Sequence, residues 1–249
     1  VIPLESLGDY SNGIDRINIE LSINNKLKLI EEIYQYLSAS NIPINNDEMD
    51  VELFEEKKKS ALTLLDQVRG KWSNYLNNLD EPLEKFEGLP ELKNFYQTLF
   101  SAIQSYELRI SWKKELKKPL SEIFSGRGYE VVLEKITNLH QTTLKSRVFI
   151  ALHMHAGDGN VHSNIPVNSD DYEMMQDAQR AVARVMALAK KLNGVISGEH
   201  GIGITKMEYL DVHTIDTFAA YKAKVDPNGH FNKGNQGPLV VHHPNLEHV

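Results

Sequence analysis

The chain has 249 residues, 41% of them hydrophobic, enough to bury a core in one large domain or two small ones. Its 27 Lys and Arg residues are outnumbered by 34 Asp and Glu, for a net charge of −7, and the cations are dispersed among acids, which leaves no footprint for nucleic acid. Cysteine is absent, so a disulfide framework, a thiolate zinc site, a cysteine-ligated iron–sulfur cluster and a cysteine nucleophile are excluded within this chain. No apolar run approaches the ~20 residues that span a bilayer. The Val-Ile-Pro-Leu start, with neither Met nor a signal peptide, reads as a piece of something longer or a processed product.

Val1 to Leu4 reads as a short strand-like end, with Pro3 suited to a strand terminus. Ser6 to Leu37 reads as helix in two pieces, with Ile30, Ile33 and Leu37 on one face. A break follows at Asn41–Asn46, around Pro43. From Asp47 to about Leu144 the pattern is strongly helical: one long helix marked by Leu53, Leu64, Val68 and Trp72, a second over Leu92–Leu116 that Pro119 ends, and a third over Tyr129–Leu144. Then the period changes. Val148, Ile150 and Leu152 alternate as in a strand, Gly157-Asp158-Gly159 is turn chemistry, and Val161–Val167 reads as a returning strand. A helix capped by Ser169 runs to about Leu192, with Gly194 past its end. Val195–Ser197 reads as a short strand that delivers Gly198-Glu199-His200, and a last helix covers Thr214–Lys224 before the Asp226-Pro227-Asn228-Gly229 turn.

The chemistry lies in His155-Ala156-Gly157-Asp158-Gly159-Asn160-Val161-His162 and in Gly198-Glu199-His200-Gly201. His155 and His162 flank a tight loop, and residues so placed on paired antiparallel strands can share a face. Glu199 completes a two-His, one-carboxylate set that leaves coordination positions open, the mark of a catalytic metal site; Zn, Mn and Fe all accept such ligands. Any single histidine here is more often an ordinary one on a sheet surface, but the convergence of three donors at glycine turns favours the metal. His153, two residues before His155, could add a fourth ligand, although a twist beside the turn argues against it. Asp158 could be a ligand but reads first as the turn-maker, and a role in orienting a ligand imidazole sits between those readings. A neighbouring cation disfavours the charged form of His200, which then stays neutral near pH 7 and can accept a proton.

These two segments, with the terminal Val225–Asn232, resemble the C-terminal cap domain of flavin-linked D-2-hydroxyacid oxidoreductases, the D-lactate dehydrogenase, glycolate oxidase and D-2-hydroxyglutarate dehydrogenase group. Val1-Ile2-Pro3-Leu4 resembles the family's entry into the cap. The resemblance implies that His155, His162 and Glu199 hold the divalent metal, that His200 is the catalytic base and that Asn164 contacts substrate. It implies FAD bound on an N-terminal flavin domain of the same polypeptide, a small D-2-hydroxy acid as substrate, and an iron–sulfur redox domain as a further partner. The absence of cysteine suits a cytoplasmic location, and redox partners of that kind would allow a position peripheral to the inner membrane. A fragment lacking the flavin domain would be inactive by itself.

The expected fold is α+β: an antiparallel sheet with helices on one face, in the ferredoxin-like manner of the cap, plus a large helical insertion. Residues 1–46 and 146–234 would form the cap, 47–145 the insertion, and 235–249 a disordered or foreign tail, since Lys233-Gly234-Asn235-Gln236 departs from the family's continuation. Two other readings compete: a self-contained metal hydrolase using the same His, His and Glu ligands, and a non-catalytic helical docking module.

Overall fold

The computed structural model describes residues 1–39, 42, 51–86, 88–89, 95–197 and 206–231. The architecture is α+β: seven helices and one antiparallel hairpin among the described residues. The helices are α1 (Leu7–Ser38), α2 (Val51–Asn77), α3 (Leu99–Gln104), α4 (Lys118–Ile123), α5 (Glu130–Lys145), α6 (Tyr172–Lys191) and α7 (Val212–Val225). The strands are β1 (Ala151–His155) and β2 (Asn160–Asn164). No helix of the described residues is long and apolar enough to cross a membrane.

The first helix is continuous, not two pieces, although its buried positions change face between Ile17 and Leu29. It serves two cores in succession. Tyr10, Ile14 and Ile17 pack with Ile2, Ile150 and Val185, against the hairpin and α6. Further along, Ile23, Ile30, Ile33 and Leu37 pack with Leu65 and Trp72 of α2 and with α5. Each fully buried aliphatic side chain in these seams contributes about 1.5–3 kcal/mol of transfer free energy.

The helical region departs from expectation between residues 92 and 116. In place of one helix there is the short α3, a bend through Tyr106, whose φ is +64°, and then a π turn at Lys113–Lys117 leading into α4. The π turn precedes Pro119, which sits in the first turn of α4, where its missing N–H leaves no interior helical bond unmade. Glu115 fixes this turn to α2. Its carboxylate accepts from Trp72 Nε1 at 3.2 Å, Lys71 Nζ at 2.7 Å and the Ser111 N–H at 2.8 Å. That satisfies the one polar atom of an otherwise fully buried indole.

Several termini also differ from the sequence reading. Leu4–Ser6 is a 3-10 turn, not a strand. Helix α6 is capped by Asp171, which accepts the Met174 N–H at 3.0 Å, not by Ser169. At its other end Asn193 takes the left-handed position (φ +56°), and Gly194 donates to the Ala189 carbonyl at 2.8 Å while Asn193 donates to that of Lys190 at 3.0 Å. This is a Schellman closure with Asn in place of Gly. Gly194 is needed for another reason: a Cβ there would lie 2.5 Å from Ile2 Cδ1. Val195 pairs with Val1 through two backbone bonds of 2.7 and 2.8 Å without extending into a strand.

Gly159 meets the same segment from the hairpin side. Its φ is +72°, its carbonyl accepts the Ile2 N–H at 2.8 Å, and a Cβ would fall 2.1 Å from the Ile2 carbonyl oxygen. Gly159→Ala should therefore destabilise by about 1–2 kcal/mol from the left-handed backbone alone, and more from the clash. Thermal unfolding should register a lowered Tm, whereas Gly157→Ala, with open space at its Cβ, should stay close to the parent.

Candidate functional site

The hairpin turns on residues 156–159. Asp158 accepts the Asn160 N–H at 3.0 Å and donates its own N–H to the His155 carbonyl at 3.2 Å, so its carboxylate is engaged in making the turn. The register pairs Ala151 with Asn164, Leu152 with Ser163, His153 with His162, Met154 with Val161 and His155 with Asn160. Directly opposed residues share a face, so the alternation sorts the side chains in two. Leu152 and Val161 pack into the core with Ile14 and Val185, and Met154 and Ser163 alternate onto that same face. Ala151, His153, His155, Asn160, His162 and Asn164 take the other face, where His153, His155 and Asn164 are exposed and His162 is half-buried.

The inner face is anchored by polar bonds as well as packing. The Asn18 side chain donates to the Ile150 carbonyl at 2.9 Å and accepts the Ile150 N–H at 2.8 Å. Tyr10 Oη and Ser163 Oγ are 3.0 Å apart. Burial pushes the Tyr10 phenol pKa up, and the bond to Ser163 opposes that only in part. These supporting residues were not singled out from sequence; nothing in a pattern of local spacing joins Asn18 to Ile150.

The predicted metal ligands His155 and His162 thus lie on one face, with ring centroids 5.8 Å apart. Asn164, the predicted substrate contact, is two residues further along β2 on that face. Glu199 and His200 lie outside the described residues. His153 stands directly across from His162, with ring centroids at 5.1 Å, and 6.3 Å from the His155 ring. Two imidazoles on one exposed face suit a divalent cation that prefers nitrogen. Among the described residues, no three His, Cys, Asp or Glu side chains already converge on one metal position.

Beyond α7, Asp226 organises the turn that the sequence marked. Its carboxylate accepts the N–H of His230 at 2.7 Å, that of Phe231 at 3.1 Å and Lys222 Nζ at 3.1 Å. Burial works to raise its pKa, but those three donors outweigh it and hold the group below its ordinary 3.8. A depressed folded-state pKa contributes stability above the unfolded value that is lost as pH falls through the folded one. The 226–231 turn should therefore loosen in acid below that ordinary value. Amide exchange at His230 and Phe231 should accelerate there, and Asp226→Asn should give the same acceleration at neutral pH.

Residues 130–235 match the family described as FAD linked oxidases, C-terminal domain. The glycolate oxidase subunit GlcD of Escherichia coli (strain K12) is 33% identical over 48% of this chain and 26% of its own length. The mitochondrial D-lactate dehydrogenase [cytochrome] of Arabidopsis thaliana is 25% identical over 92% of this chain and 48% of its own. The D-2-hydroxyglutarate dehydrogenase of Stutzerimonas stutzeri (strain A1501) is 41% identical over 32% of this chain and 18% of its own. The chain spans less than half the length of each of these relatives. No solved structure matches it.

Proposed function

We propose, from the premise that residues 130–235 are a C-terminal domain of the FAD-linked oxidases, that the chain is the substrate- and metal-binding part of a flavin-dependent D-2-hydroxyacid dehydrogenase of the D-lactate type. The observation that carries the proposal is the outward face of the hairpin, which His155, His162 and Asn164 share. The relatives support the substrate class, since their names specify glycolate, D-lactate and D-2-hydroxyglutarate, each a short acid with a 2-hydroxyl.

When bound, a divalent cation supplies Lewis acidity to the carboxylate and 2-hydroxyl oxygens, and FAD on an N-terminal domain of the parent polypeptide supplies the hydride acceptor. The chain's own residues do the rest. His155 and His162, one from each strand, would hold the cation, with Glu199 as the carboxylate ligand. Asn164 offers an amide to the substrate on the same face and helps to set its orientation. His200 removes the hydroxyl proton while C2 gives up hydride. The hairpin fits this work because α1 and α6 pack against one face of it, while His155 and Asn164 are exposed on the other.

Metal analysis of the purified parent protein tests the ligands. His155→Ala and Glu199→Ala should each lose bound divalent metal, and an unchanged metal content in both would overturn the reading. In the intact enzyme, His200→Ala should lower turnover with a D-2-hydroxy acid by ~10²–10⁴ while leaving metal content as it was. Near-normal turnover would remove His200 from the role of base.

A further inference from the structure

We infer that the cleft between α1, α5 and the segment leading into β1 binds a small organic carboxylate with an apolar body, its charge met by Lys26 and Arg147 and its body by Trp112 and Phe149. None of the hairpin histidines lines this cleft, and its occupancy is independent of any metal they hold.

The cleft arises where α1 passes from one core to the other. Leu21, Ser22, Asn25 and Lys26 of α1 form one wall, between the apolar cluster around Ile17 and the one around Leu29. His140 and Leu144 of α5, Trp112 and the 147–149 segment close the other sides. The space is about 300 Å³, at the lower end for small-molecule sites, and its surface is mainly apolar with a few convergent polar groups, as such sites are. Trp112 and His140 stack with centroids 4.8 Å apart and 11° between planes, which makes a flat wall. Burial, and then Lys117, push the His140 pKa down, so that wall is uncharged at neutral pH.

Charge sets the sign of the ligand. Two cations line the cleft and no Asp or Glu does. Lys26 is half-buried, and its ammonium donates to Ser22 Oγ at 2.6 Å and to the Ser22 carbonyl at 3.5 Å, which leaves a donor over. Among the described residues no carboxylate lies within ion-pair distance of Lys26 or Arg147. Glu115 attracts Lys26 from outside the cleft, but its oxygens are taken by Lys71, Trp72 and the Ser111 N–H. Burial pushes the Lys26 pKa down and Arg147 adds to that, both of which an anion between the two would offset. The Arg147 guanidinium sits 5.4 Å from the centroid of the Phe149 ring, which holds its planar fork beside an apolar surface. A charge against an apolar wall suits a carboxylate carried on a hydrocarbon body better than a bare inorganic anion. The neighbouring cavity of about 630 Å³ shares Lys26 but is lined by Asp15, which repels an anion and already holds Gln104 at 2.8 Å.

The test is calorimetric titration of the parent protein with sodium benzoate, and in parallel with sodium acetate and inorganic phosphate. Benzoate should bind more tightly than either of the others and should raise the thermal midpoint. Lys26→Met and Arg147→Gln should each weaken benzoate binding about tenfold or more, the loss expected when one charged hydrogen-bond partner goes. Arg147 is exposed, so its variant folds whatever becomes of the half-buried Lys26. Arg109→Gln removes a cation that lines only the neighbouring cavity and should leave benzoate affinity as it was. Benzoate affinity equal to the parent's in both Lys26→Met and Arg147→Gln would overturn the assignment, because the ligand would then sit elsewhere. So would an equal loss in Arg109→Gln, which would mark a general effect of surface charge. Phosphate binding with no benzoate binding would overturn it as well.

Discussion

One side-chain amide governs how the hairpin is presented. Asn18 of α1 spends both its donor and its acceptor on the backbone of Ile150, the residue just before the ladder begins. Ile150 is buried, and without Asn18 its N–H and C=O would stand unpaired in the core, a cost of about 1–3 kcal/mol for each group. The bond also fixes parity. Side chains alternate along a strand, so a slip of one residue between α1 and β1 would turn the histidines inward and Leu152 and Met154 to water. Asn18 holds the one phase in which the imidazoles face out. Tyr10 on Ser163 and Ile2 on Gly159 repeat the constraint at two further points, one in the middle of the hairpin and one at its turn.

An isolated two-stranded hairpin is marginal in water, and this one is stable only as a lid on something larger. What lies beneath is α1. The helix gives its first turns to the hairpin and α6 and its later turns to α2 and α5. The helical region and the histidine face therefore share one rigid rod, and the residues that join them belong to a single continuous helix. Glu115, Trp72 and the π turn stabilise the far end of that arrangement, and none of them approaches the imidazoles in sequence or in the packing clusters.

The sequence made some of this plain and hid the rest for physical reasons. His155 and His162 could be placed on one face because two local signals agreed: a tight Gly-Asp-Gly turn, and alternation on either side of it. The α+β class followed from the change of period near Val148. Asn18 could not be found, because its partner is 132 residues away and an exposed-looking Asn inside a helix carries no local mark. The break between residues 92 and 116 is hidden by apolar spacing that suits a helix; Phe95, an apolar residue within that range, is 80% exposed. The closure of α6 was misassigned by one residue, since Gly194 looked like the usual left-handed cap while its actual task is to let Ile2 approach.

Charge contributes little to this geometry, and that bears on how the site behaves. Arg184 pairs with Glu20, Lys28 with Glu173 and Arg69 with Glu31, linking α1 to α6 and α2. All of these pairs lie at the surface, where such a contact is worth ~0–1 kcal/mol and is screened by salt. The apolar seams and the buried amide bonds are not screened. The orientation of the histidine face is thus decided by packing and parity, and the ionic surface around it can vary without moving the imidazoles.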